Sequence, residues 1–152
     1  MECWGSDDRN QLPPSTKTTT AYSAISACAQ GFATCALVES TGFAECWGYG
    51  AQTPPDTAYS DIATGYMHAC ALVKSSGFAE CFGQDNNNWE GDHLTPPNPT
   101  TAYSAISTGV WHNCALKAAN GVAECWVGRC WLTISKTPLT ASTMVSALEA
   151  TT

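Results

Sequence analysis

Charge is scarce in this chain: Asp, Glu, Lys and Arg make up only 12% of its 152 residues, against 44% hydrophobic ones. The six basic residues, Arg9, Lys17, Lys74, Lys117, Arg129 and Lys136, are scattered and are outnumbered by 13 acids, for a formal net charge of −7. Binding to a phosphate backbone needs a concentrated basic surface, so nucleic acid is not an expected partner. No stretch approaches the roughly 20 apolar residues of a membrane span, and the N-terminus, MECWGSDDRN, shows no basic segment followed by an apolar run, so no signal peptide is visible. A glycine-rich phosphate loop, a Ser/His/Asp constellation with a supporting motif and a zinc-protease pattern are also lacking. Neither catalysis nor a cofactor is expected.

What fills the chain is Ser, Thr, Gly and Pro around short apolar stretches, the balance of turn-rich β structure. Its length suits one structural unit, and that unit is internally repeated. Three segments align: AYSAISACAQGFATCALVESTGFAECWG (21–48), AYSDIATGYMHACALVKSSGFAECFG (58–83) and AYSAISTGVWHNCALKAANGVAECWVG (102–128). The Cys-Ala-Leu triplets begin at Cys35, Cys70 and Cys114, and the Glu-Cys pairs that follow place Cys46, Cys81 and Cys125 each 11 residues later. Successive Glu-Cys cysteines, Cys3, Cys46, Cys81 and Cys125, lie 43, 35 and 44 residues apart, so length varies in the connectors. Those connectors carry Pro13-Pro14, Pro54-Pro55 and Pro96-Pro97. Proline cannot donate to a strand ladder, which makes them loops between sheets.

Each repeat then reads as about three short strands, the last two joined as a hairpin. The stretches VESTG, VKSSG and KAANG separate them, and each ends in a glycine that supplies the positive φ of a tight turn. Strand side chains alternate between faces: Cys35 and Leu37 share one face with Ala44 and Cys46, while Phe43, Glu45 and Trp47 occupy the other. Both faces are bulky and apolar, which suits a sheet covered on both sides by its neighbours. A hairpin closing at the glycine turn can bring each cysteine pair face to face.

The pairs Cys35/Cys46, Cys70/Cys81 and Cys114/Cys125 are expected as structural disulfides, with reduced core cysteines as the alternative. Zinc ligands usually stand two to four residues apart, so a metal role is not expected. Cys3, Cys28 and Cys130 are left over, to pair with one another, with further segments or with another chain. The disulfide framework argues for an extracellular or cell-surface protein. The lack of a visible signal peptide argues for the cytoplasm, unless Met1 is not the natural beginning. His68 and His112 stand two residues before a repeat cysteine and are expected to make a structural hydrogen bond to a neighbouring loop. Glu2, Glu45, Glu80 and Glu124 recur once per repeat, and such periodicity points to strand-edge or inter-blade hydrogen bonding, not to general acid–base work. Trp4, Trp47, Phe82 and Trp126 hold one repeat position and are assigned to the core. Trp89 and Trp111 stand apart from the repeat. Trp89, Glu90, Asp92 and His93 lie in the polar connector QDNNNWEGDHL, where an aromatic among polar groups makes an interface anchor and local packing in a solvated loop is the competing reading.

The pattern Ile-Ser-x-Gly-x-x-His-x-Cys-Ala-Leu-Lys, a glycine turn, then Cys-Trp, is met best at 106–126 as ISTGVWHNCALKAANGVAECW. It resembles the repeat of the regulator of chromosome condensation family, which also includes propellers like β-lactamase-inhibitor protein II. The first repeat departs from it at Ala33, where the others have His68 and His112. The resemblance implies an all-β propeller, of about seven four-stranded blades when complete, and hence an incomplete propeller of about three blades here; three repeats of this size also fit a β-trefoil. On this reading residues 1–128 are propeller-type repeats, 1–5 are the last strand of a partial blade, and 129–152 form a divergent tail. The chain is then a piece of a larger protein or a divergent gene product. The expected function is a non-catalytic scaffold that binds a protein or glycan partner through its inter-strand loops, above all 84–99. Self-association, or further blades in a longer parent, would complete the array. The resemblance also implies an alternative, part of a guanine-nucleotide exchange factor acting on a small GTPase.

Overall fold

A computed structural model of the chain describes residues 3, 5–14, 19–28, 33–49, 51, 54–84 and 94–127, with Val127 by its backbone alone. Among the described residues nine strands follow one another: β1 (Tyr22–Ala27), β2 (Ala33–Val38), β3 (Ala44–Gly48), β4 (Tyr59–Thr64), β5 (His68–Val73), β6 (Ala79–Gly83), β7 (Tyr103–Thr108), β8 (His112–Lys117) and β9 (Ala123–Val127). They form three separate antiparallel sheets, β1-β2-β3, β4-β5-β6 and β7-β8-β9, each completed within one repeat. The sheets lie side by side as blades. The β-trefoil alternative is not adopted, because among the described residues no strand is shared between repeats. Each blade has three strands among the described residues, where the family resemblance implies four. No helix of the described residues is long and apolar enough to cross a membrane.

The eleven-residue offset becomes register. Cys35 stands opposite Cys46, Cys70 opposite Cys81 and Cys114 opposite Cys125, and each pair is joined at an S–S distance of 2.05 to 2.09 Å. The geometry of the turn sets this register. Gly42, Gly77 and Gly121 have φ of 76°, 72° and 69°, the left-handed region open to glycine, and each donates its N–H to the carbonyl four residues earlier at 2.7 to 2.8 Å. The first strand of each blade carries a bulge at its serine. There Ser23, Ser60 and Ser104 donate their hydroxyls to the carbonyls of Leu37, Leu72 and Leu116 at 3.4 to 3.5 Å.

Each blade has a disulfide face and a tyrosine face, and the blades stack one upon the other. Cys35, Leu37, Ala44 and Cys46 of the first blade form one cluster with Tyr59, Ile62, Ala69, Ala71 and Phe82 of the second. Cys70, Leu72, Ala79 and Cys81 of the second form the next with Tyr103, Ile106, Ala115 and Trp126 of the third. Burying a Leu or Ile side chain fully is worth about 1.5–3 kcal/mol, so these junctions, with the disulfides, hold the array together. The junctions are also hydrogen-bonded. Tyr59 N–H donates to Gly42 O at 2.9 Å and Tyr103 N–H to Gly77 O at 2.8 Å, and no side chain fits easily on either glycine, since an added Cβ would stand 3.2 Å from the next blade's carbonyl.

On the tyrosine face, one tyrosine reaches across the middle strand to the recurrent glutamate. Tyr22, Tyr59 and Tyr103 donate their hydroxyls to Glu45, Glu80 and Glu124 at 2.7, 2.7 and 2.6 Å, and each ring meets the aromatic of the last strand, Trp47, Phe82 or Trp126, at 5.8 to 6.3 Å. The bonds these glutamates make to the tyrosines thus lie within their own blade; Glu2 lies outside the described residues. Burial, then the hydrogen bond to a carboxylate, pushes Tyr22 up to about 12 and raises Tyr59 and Tyr103 also. Burial acts to raise Glu124, yet its bonds to Tyr103 and Lys117 together hold it below the usual carboxylate range. A raised phenol keeps its proton in the folded chain where the unfolded chain, with a tyrosine value of about 10, has lost it. Its contribution is complete below pH ~10 and is lost as pH rises through the folded value. The melting temperature is expected to fall between pH 9 and pH 11, and to fall less in Tyr59→Phe; an equal fall in both proteins would contradict this.

Candidate functional site: the loop end of the blades

The turn between the first two strands of the second and third blades is built by Thr-Gly-x-x-His. Gly65 N–H donates to His68 O at 2.7 Å and Gly109 N–H to His112 O at 2.8 Å. In each, the histidine ring folds back over the glycine, so an added Cβ would collide with it, and at Gly65 it would also stand 2.8 Å from Gly109 O. His68 is buried and its Nε2 lies 2.8 Å from Asn113 Oδ1, which is fully buried on β8. The amide oxygen can only accept, so Nε2 carries the proton. This corrects the expected loop contact: the histidine bridges to a strand of the next blade. His112 is exposed, on the disulfide face of the last described blade.

At the preceding junction the two positions are held by Ala33 and Ala69. A cavity of about 10 Å³ lies there, lined also by Thr64 and His68, about the room of one water molecule and too small for a ligand. Two further residue pairs of similar reach are found once each. Ser26 is met by Thr64 through both Thr64 N–H and its hydroxyl at 3.0 Å, and Asp61 accepts Ile106 N–H at 3.2 Å.

The turns that follow the first strands place aromatics at one end of the stack. Tyr66 and Trp111, from adjacent blades, meet edge to face with ring centres 5.0 Å apart and both half-exposed. Gln84 N–H donates to Met67 O at 2.9 Å, so the connector 84–99 leaves its sheet beside them. Tyr49, at the same end of the first blade, is exposed and lies under the Arg9 guanidinium, 5.4 Å from its ring centre. Trp89, Glu90, Asp92 and His93 lie outside the described residues, as do Trp4, Cys130 and the tail 129–152. Sequence reasoning set Trp111 apart from the repeat but passed over Tyr66, whose one signal was an aromatic where the third repeat has Val110. Among the described residues no group of three His, Cys, Asp or Glu side chains could hold a metal ion. The six hairpin cysteines are all in the disulfides already given, Cys3 is a half-buried thiol, and Cys28 is half-buried with its N–H on Ala33 O at 3.4 Å.

Solved structures of similar fold include the following three. The CRINKLY WD40 ectodomain of the Arabidopsis thaliana receptor kinase ACR4 is similar with a TM-score of 0.64 at 20% identity, over 83% of this chain and 42% of that one. The entire ectodomain of the Physcomitrella patens receptor kinase CR4 gives 0.67 at 23% identity, over 81% and 34%. The crystal structure of Kap60 bound to yeast RCC1 (Prp20) gives 0.52 at 18% identity, over 82% and 38%. The chain has the β-propeller fold. It spans less than half the length of each of these chains. No family profile matches the sequence, and no curated protein does.

Proposed function

We propose that the chain is a non-catalytic scaffold that binds a protein partner at the loop end of its blades. The observation that carries this is the half-exposed Tyr66–Trp111 pair beside the root of the connector 84–99. Aromatic anchors on loops held by a rigid scaffold are typical of binding surfaces, and Trp89, Glu90, Asp92 and His93 of that connector extend the same surface on this reading. Three disulfides support an extracellular or cell-surface setting. The repeat motif supports kinship with the regulator of chromosome condensation family, and the N- and C-terminal stretches 1–5 and 129–152 are read as a partial blade and a divergent tail.

The test is the immobilised chain against a panel of extracellular proteins and a glycan array. Binding to a protein, weakened at least about tenfold by Trp111→Ala with an unchanged melting temperature, is the expected result. Undiminished binding when Trp111→Ala is combined with a Gly/Ser replacement of 84–99 removes this surface from the account. Binding to glycans alone changes the partner class. Accelerated nucleotide release from a small GTPase would replace the reading with the exchange-factor one.

A further inference from the structure

We propose that two copies of this chain assemble head to tail, the disulfide face of the third blade of one taking the tyrosine face of the first blade of the other. The junction between blades occurs twice within the chain, and each of its two halves is left open once. Leu37 and Leu72 are 0% and 1% exposed against the next blade, whereas Leu116 at the same position is 39% exposed. Ile62 and Ile106 are 5% and 9% exposed against the preceding blade, whereas Ile25 is 52% exposed. Cys125 and His112 are exposed on the same open side as Leu116.

The backbone repeats the pattern. Tyr59 N–H and Tyr103 N–H bond to Gly42 O and Gly77 O, with Ala58 bridged to Phe43 and Ala102 to Phe78. Tyr22 N–H and Gly121 O make no such bond among the described residues, and an added Cβ at Gly121 would meet nothing within 4 Å. A donor without its acceptor and an acceptor without its donor thus stand at opposite ends of one chain, each with the apolar residue that completes the other. Tyr22 itself is half-exposed beside the open Ile25. Such a contact joins two different surfaces, so it repeats until it closes. Two copies supply six blades, within the four to eight of closed propellers, and three copies would exceed that range.

The test is native mass spectrometry and light scattering of the full chain over a range of concentrations. The expected result is a dimer that dissociates on dilution. Leu116→Asp and Ile25→Asp, both at positions exposed in the single chain, are each expected to raise the dissociation constant at least about tenfold with the melting temperature of the dilute chain unchanged. Mixing the two variants leaves one junction whole, the Leu116 face of one against the Ile25 face of the other, and is expected to restore a dimer containing one of each. A chain that stays monomeric at every concentration overturns the proposal, as does a dimer that survives Ile25→Asp, or a mixture in which no mixed dimer forms.

Discussion

Full reduction of the three disulfides is expected to unfold the blades. Each bond closes a loop of 12 residues, 11 apart in sequence, and the chain-entropy relation assigns such a loop about 3 kcal/mol. Three of them sum to about 8–9 kcal/mol, comparable with the whole stability of an ordinary domain, about 5–15 kcal/mol. The loss should also be ordered. Cys35 and Cys70 are buried beneath the next blade, while Cys125 is exposed and Cys114 half-buried. Among the six disulfide-bonded cysteines, a mild reductant followed by alkylation under native conditions is expected to label Cys114 and Cys125 first, with the other four of the six labelled together with loss of the β-sheet circular dichroism signal. Early labelling of Cys70 and Cys81, or a reduced protein that keeps its melting temperature, would contradict the stacking order.

The second large effect compares two equivalent leucines. Leu72 lies in the cluster with Tyr103, Ile106 and Trp126, and Leu72→Ala is expected to cost about 2–5 kcal/mol, the usual range for emptying a packed core position. Leu116 has the same place in its repeat but no blade over it, and in the dilute chain Leu116→Ala is expected to cost under about 1 kcal/mol. Chemical denaturation of both variants reads the difference. Equal costs would mean that Leu116 is covered in the single chain and would remove the open face on which the dimer rests.

Features that obey the repeat were legible in the sequence. The constant cysteine offset and the glycine that ends each turn specify a hairpin register, because a tight turn with one left-handed residue fixes which residues stand opposite. The alternation along each strand separated the disulfide face from the face of Glu45 and Trp47, and the structure uses both. The tyrosine-to-glutamate bond was equally available: Tyr59 and Tyr103 stand 21 residues before Glu80 and Glu124. Glu45, Glu80 and Glu124 do stand on the outer strands β3, β6 and β9 of the described sheets, but the expectation of strand-edge or inter-blade bonding overlooked how far a tyrosine reaches across one strand.

What was not legible are the contacts that break the repeat. His68 with Asn113, Asp61 with Ile106 N–H and Ser26 with Thr64 join residues 38 to 45 positions apart. The partner positions differ between repeats: Ala69 stands where Asn113 does, and Ala24 and Ala105 stand where Asp61 does. Aligning the repeats shows where such residues occur but not which neighbouring blade they face, because that depends on how one sheet is stacked upon the next. The candidate site has the same origin. Tyr66 and Trp111 are one position out of step in the alignment, and only the offset between adjacent blades brings their rings together.

Stacking of equivalent sheets is therefore the claim on which the rest stands, and methyl-to-aromatic nuclear Overhauser contacts in the dilute chain test it most directly. Leu37 methyls are expected to show contacts into the Tyr59 and Ile62 set and Leu72 methyls into the Tyr103 and Ile106 set, with none from Leu116 to any tyrosine ring. Contacts from Leu37 or Leu72 only to residues of their own repeat would contradict it.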